Sequence, residues 1–299
     1  MKIASEAQNL FEAQDIGESE ESEAENSTGN GSEGCADAIL QQTARLASDG
    51  KVFLIVNLTF HHNQFNAVIE ATNIDRIEMS EYAKELSGVL QNSTLSVQKL
   101  RENLYRAGYQ KGFDLISHED AGFIEVTARH FLDLMSSPNS PLNNIMLERT
   151  AASYLIIYII NQLFLANNDI IELGWLEREF YSTDRAKFDG VLFKVGDKTV
   201  SPAFIEFSGG LNDKTSQRKN SNDIEKLYRN LIKVMNDNKT NHMFCIRCFD
   251  HYIYFERLIK FEGAMCRKID TTIEVPNTPR KLKAFIKQIP MIFAWKQGV

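Results

Sequence analysis

The order of hydrophobic patterns along this chain predicts an α/β protein, a mixed central sheet flanked by helices, preceded by a mainly helical N-terminal region and a disordered acidic tail. Two observations carry that expectation. Behind the breaker cluster Ser136–Pro141 (SSPNSP), short β-branched and aromatic runs alternate with amphipathic helical patterns. The first 36 residues are rich in Glu, Ser, Gly and Asn and poor in aromatics, so they cannot bury enough apolar surface to offset their ordering entropy. The chain accordingly divides into a tail at 1–36, a helical region at 37–140 and an α/β domain at 141–299.

In the N-terminal region Ala38–Leu46, Met79–Leu90, Leu95–Ala107 and Ala121–Met135 have helical spacing, the third with Ser93 or Thr94 as its cap. Lys51–Phe60 (KVFLIVNLTF) is a β-rich run. After the breaker, Leu142–Ala166 predicts a long buried helix; its apolar stretch includes Asn161 and Gln162 and falls short of the roughly 20 residues a membrane span needs. Strands follow at Leu176–Ser182, Phe188–Val195 and Ala203–Phe207, the last two joined through a hairpin turn at Val195–Lys198, where Gly196 supplies the tight backbone. Ser221–Met235 is amphipathic, with Ile224, Leu227, Leu231 and Val234 on one face. Met243–Phe249 and Tyr252–Ile259 are two more strands, and Thr278–Gln288 is a basic final helix.

Composition narrows the class further. The 299 residues are 43% hydrophobic and 24% charged, ordinary for a globular protein. Four cysteines do not make a disulfide framework, and no apolar segment follows a basic start; both point to an intracellular, reducing compartment, nucleus and cytoplasm not being distinguished. The net charge of −7 hides an asymmetry: residues 1–36 hold nine acidic residues and one lysine, whereas residues 211–299 hold nine acidic and 17 basic. A DNA or RNA surface is therefore expected in the basic C-terminal third, and a protein partner, if the tail recruits one, at the acidic end. No membrane association is expected.

One constellation carries chemistry. Asp189 begins one strand and Glu206 ends the next, and neighbouring antiparallel strands bring opposite Cβ atoms to within roughly 5 Å. Two carboxylates that close repel unless a cation neutralises them, and oxygen-only ligands suit Mg²⁺ or Mn²⁺. Phe207 can add its backbone carbonyl, and Glu148, near the start of the preceding helix, can reach the same place. These residues, Phe188-Asp189-Gly190, a short hairpin, Ile205-Glu206-Phe207-Ser208 and a preceding helix with Glu148, resemble the PD-(D/E)XK nuclease superfamily, and more narrowly its uncharacterised fungal members with a degenerate domain. The resemblance covers about residues 141–260. It implies a restriction-endonuclease-like core and a Mg²⁺-dependent phosphodiesterase, with Asp189 and Glu206 as metal ligands and Glu148 as the helical acid. The family's lysine belongs two residues after the glutamate, where this chain has Ser208. Some members move it to the following helix, which nominates Lys226 as the catalytic lysine, ahead of Lys214 and Lys219 in the connecting loop. Phe188 also stands where the family often has proline. Arg218, Lys219, Arg229 and Lys233 are the expected phosphate contacts. The alternative is an inactive nuclease-fold module that binds a protein or a nucleic acid.

A second cluster, His242, Cys245, Cys248 and His251, has zinc-binding residue types. Its spacing of three sends successive side chains to opposite faces of a strand, so Cys245 and Cys248 are expected as buried small hydrophobes.

Overall fold

The structure is a computed structural model that describes residues 52–54, 70–107, 111–183, 185–214, 217–261 and 264–299. The tail expected at 1–36, the helix expected at Ala38–Leu46 and most of the run Lys51–Phe60 lie outside these residues. The chain forms two compact units, one of Ile74–Leu258 with Ile269–Val299 and one of Met1–Asn73 with Ile259–Lys268.

The larger unit opens with three helices, α1 (Glu81–Asn92), α2 (Val97–Ala107) and α3 (Glu119–Ser136). Ser80 caps α1, its hydroxyl accepting from the Ala83 N–H at 3.2 Å. The Asp120 carboxylate in turn accepts from Ser80 N–H at 2.6 Å and Oγ at 2.7 Å, which ties the start of α1 to the start of α3. These helices share one hydrophobic core with the elements behind the breaker, so the sequence on both sides of Ser136–Pro141 builds a single unit.

Helix α4 is the continuous stretch Glu148–Asn167, with a π-helical turn at Ala152–Ile156. It starts six residues later than its apolar pattern. Pro141–Asn143 forms a separate 3-10 turn, and the Met146 N–H donates to the Leu211 carbonyl at 2.9 Å instead of joining a helix. At 20 residues α4 is long and apolar enough to cross a membrane by length and composition alone. Ala151, Ala152, Leu155, Ile156, Ile159, Ile160, Leu163 and Phe164 bury one of its faces in the core, as a core helix requires.

Six strands follow: β2 (Ile171–Glu179), β3 (Lys187–Lys194), β4 (Ala203–Phe207), β5 (His242–Phe249), β6 (Tyr252–Phe261) and β7 (Ala264–Glu274), with β1 (Val52–Leu54) preceding the helices. Between β4 and β5 runs α5 (Gln217–Asn238), and α6 (Pro279–Gly298) closes the chain. The sheet order is β7-β6-β5-β4-β3-β2. The β2–β3 and β3–β4 pairs are antiparallel, and β4–β5 is parallel, which makes β4-α5-β5 a crossover unit. The sheet is therefore mixed, and Cys245 and Cys248 are buried on β5 as expected.

Further elements differ from the pattern reading: the strand expected at Leu176–Ser182 forms five residues earlier as β2, and Tyr181–Thr183 is a 3-10 turn. Strand β7 went unpredicted because Arg267, Lys268 and Asp270 interrupt its apolar alternation. They are tolerated because they are paired; Arg257 Nε and Nη2 reach the Asp270 carboxylate at 2.7 and 2.8 Å. Helix α6 continues ten residues past Gln288. Pro290 removes one backbone donor inside it, and burial of Ile292, Phe293 and Trp295 outweighs that loss. The Trp295 indole N–H donates to the Glu256 carbonyl at 3.1 Å.

In the smaller unit β1 pairs antiparallel with Cys266–Lys268. The Lys268 ammonium donates to the Thr72 carbonyl at 2.7 Å and to its hydroxyl at 3.2 Å.

Candidate functional site

The site lies where β4 ends, in the parallel pair β4–β5, close to the first turns of α5. In open α/β sheets this carboxyl end of the strands is the common place for ligands. A β-bulge prepares it. Trp175 pairs with Gly190, but Arg178 pairs with Phe188, so Leu176 and Glu177 together face Asp189. Both bulge residues take left-handed backbone, at φ 59° and 52°. Bulges next to active sites re-aim a side chain, and here the residue released from regular pairing is Asp189.

On its other side the β3–β4 ladder ends at Gly190–Ile205, so Asp189 and Glu206 are the next pair in register. In place of another ladder bond, the Asp189 carboxylate accepts the Phe207 N–H at 2.7 Å. Glu206 is only 4% exposed. Lys226 reaches back from α5 and donates from Nζ to Glu206 Oε1 at 2.7 Å, while Glu206 Oε2 is buried with no hydrogen-bond partner. At the start of α4, Glu148 forms an ion pair with Lys219.

Asp223 joins this group. It lies on α5 with Lys219 four residues before it and Lys226 three after, one face of the helix. Sequence reasoning read this helix by its apolar face and missed Asp223. The i, i+4, i+7 spacing of Lys219, Asp223 and Lys226 was the signal that could have found it.

The electrostatics are those of crowded carboxylates. Burial raises the Glu206 pKa from 4.5 to about 7, with Lys226 pulling it down and Asp189 and Asp223 pushing it up. Burial also raises Asp189, against the Phe207 N–H that lowers it, with Glu148 adding repulsion. Asp223 is raised by burial as well, against the Ser208 hydroxyl, Lys219 and Lys226. The Ser208 hydroxyl lies near Asp223 without reaching hydrogen-bond geometry, and Ser208 Oγ is a buried atom with no partner.

The fold thus brings together Asp189, Glu206, Glu148, Lys226 and Lys219. Of the other expected phosphate contacts, Arg218 is exposed at the start of α5, Arg229 turns outward to Glu225, and Lys233 lies half-buried seven residues beyond Lys226. Phe207 contributes its N–H, and its ring stacks on Trp175 with centroids 6.4 Å apart. Among the described residues no three of histidine, cysteine, aspartate and glutamate stand close enough to hold one metal ion in these rotamers.

The loop after β4 has little freedom. A Cβ on Gly210 would lie 1.8 Å from the Met146 carbonyl oxygen, a backbone atom that the Met146–Leu211 bridge holds in place. Gly210→Ala is expected to cost about 3 kcal/mol or more in urea unfolding, because neither backbone can yield alone. A variant as stable as wild type would show that the loop moves freely past α4.

No protein-family model, curated protein or solved structure matches the chain. Fold and site define it as an α/β protein with a mixed sheet that carries a buried carboxylate–lysine cluster at the end of β4.

Proposed function

We propose that the protein is a divalent-metal-dependent phosphodiesterase acting on nucleic acid, built on a restriction-endonuclease-like core. The observation that carries this reading is the 2.7 Å contact from Lys226 Nζ to Glu206 Oε1. Ser208 left the strand without its lysine, and α5 delivers one to the same carboxylate. The order helix, antiparallel three-strand meander, helix, parallel strand supports the core, in the elements α4-β2-β3-β4-α5-β5.

The donor chemistry fits a hard dication. All the candidate ligands are oxygens, and Glu206 Oε2 is a buried acceptor with no donor. Asp189, Glu206 and the Phe207 carbonyl would hold Mg²⁺ or Mn²⁺, with Glu148 assisting. When bound, the ion supplies Lewis-acid polarisation of the scissile phosphate and lowers the pKa of a water. The protein's own groups do the remaining work. Asp189 is fixed by the Phe207 N–H, which takes up one carboxylate oxygen and leaves the other for the ion. Lys226 orients the attacking water and stabilises negative charge as it develops on the phosphate. Lys219, released from Glu148, contacts a flanking phosphate, with Arg218, Arg229 and Lys233 further along the helix.

Isothermal calorimetry and a nuclease assay on wild type and Asp189→Asn test the reading. Wild type is expected to bind Mn²⁺ and to cleave DNA or RNA only when Mg²⁺ or Mn²⁺ is supplied, and Asp189→Asn to lose both. Cleavage without metal, or undiminished in the variant, would sink it. Binding to nucleic acid should weaken steeply with salt, with a slope set by the phosphates contacted.

A second reading takes the same contact differently. The lysine already neutralises Glu206, and among the described residues no three-residue ligand set is assembled in these rotamers. This favours an inactive nuclease-fold module that binds nucleic acid or a protein. Salt-sensitive nucleic-acid binding with no cleavage in either metal would select it.

A further inference from the structure

We propose that Asp223 and the Ser208 hydroxyl form a second arm of the same cation site, so that the ion is held between β4 and α5 and not by the strands alone. The inference rests on the metal-dependent reading above.

Three oxygens carry it. Glu206 Oε2, Ser208 Oγ and Asp223 Oδ2 are each buried, and none has a hydrogen-bond partner. Ser208 is 0% exposed and Glu206 4%. Buried polar atoms are nearly always satisfied, so three orphans in one cluster call for a common partner. They also belong together in space. Glu206 and Ser208 are two residues apart at the end of β4, and Asp223 lies close enough to feel both the Ser208 hydroxyl and the Glu206 charge. Two of the three can only accept while ionised, and a hydroxyl can ligate through oxygen. The ammonium that contacts Glu206, that of Lys226, is engaged at the opposite oxygen, Oε1.

Two carboxylates and a hydroxyl make an all-oxygen donor set suited to Mg²⁺ or Mn²⁺ and unsuited to softer metals. With Asp189 on β3 the full site takes in three carboxylates, and because no three such residues stand close enough in the present rotamers among the described residues, the second arm closes on the ion by a change of rotamer. It also gives Ser208 a role. A serine at this position cannot supply an ammonium, but it can supply a neutral oxygen, and the charge duty passes to Lys226. The helix then contributes both the cation-binding acid and the catalytic lysine from one face.

The test is Mn²⁺ binding to the full chain, by calorimetry and by electron paramagnetic resonance of the free ion, in wild type, Asp223→Asn, Ser208→Ala and Asp189→Asn. Asp223→Asn is expected to weaken Mn²⁺ about tenfold or more, and Ser208→Ala about threefold, with circular dichroism unchanged. If both variants bind Mn²⁺ as wild type does while Asp189→Asn does not, the inference fails and the metal-dependent reading stands. If wild type binds no Mn²⁺, both fail together. Should Asp223→Asn not fold, Ser208→Ala decides alone: unchanged affinity overturns the inference and weakened affinity supports it.

Discussion

Glu206→Gln is expected to abolish metal-dependent cleavage and, in the same variant, to raise the stability of the protein at neutral and alkaline pH. The two effects have one cause. Glu206 is 4% exposed and its pKa is pushed up to about 7 by burial. The folded state therefore holds a proton there that the unfolded chain, at 4.5, has already released. The group's contribution to stability is fully present below pH 4.5 and is lost as the pH rises through 7. Above that range the buried charge costs roughly 3 kcal/mol. Glutamine keeps the shape and an oxygen for Lys226 without the charge. Thermal melts at pH 4.5 and pH 8 check the sign: the variant should gain at the higher pH and not at the lower. A variant less stable than wild type at pH 8 would mean that the Lys226 contact outweighs the burial of the charge.

Lys226→Met should have the opposite effect on stability and an equally large one on activity. Its ammonium lowers the pKa of Glu206, Asp189 and Asp223 alike, so its removal leaves three crowded carboxylates less compensated. Each then holds its proton to higher pH, and the variant loses stability mainly above pH 7. Because the Lys226 side chain is 43% exposed, the loss in stability is screened and smaller than that of a buried pair. Cleavage falls by about 10²–10³-fold, the usual cost of removing one group that stabilises transition-state charge. Lys226→Arg restores the charge but not the compact ammonium, and is expected to recover stability more than rate. The double variant with Glu206→Gln separates the roles. If Lys226 acts only by neutralising Glu206, its removal in that background should leave stability unchanged.

Much of the strand order was legible because it depends on local pattern. Phe188-Asp189-Gly190 and Ala203–Phe207 carry the apolar runs and turn signals of a hairpin, and both formed strands. Asp189 and Glu206 were nominated from that order and Lys226 through the resemblance, and Lys226 does contact Glu206. Other features were not legible. The bulge that frees Asp189 is built by Leu176 and Glu177, which nothing in composition marks as left-handed. Strand β7 was hidden by charges whose partners lie elsewhere along the chain, Arg257 for Asp270 and Thr72 for Lys268. Asp223 looked like the polar first turn of an amphipathic helix until Ser208 and Glu206 came to lie beside it. The phosphate contacts divided for a similar reason. Lys219 lies on the face that meets Glu148, whereas Arg229 finds Glu225 on its own helix first.

By itself the sequence determined the α/β class, the burial of Cys245 and Cys248, and which side chains could supply oxygen donors and an ammonium. These depend on hydrophobic period and residue chemistry, which are properties of neighbours along the chain. Only the tertiary structure decided that Lys226 contacts Glu206 Oε1, that Glu206 Oε2, Ser208 Oγ and Asp223 Oδ2 are left without donors, and that Asp189 is held by the Phe207 N–H. Each of these depends on the register of β3 against β4 and on where α5 crosses the sheet. The burial that raises the Glu206 pKa likewise exists only once α5 covers the strands.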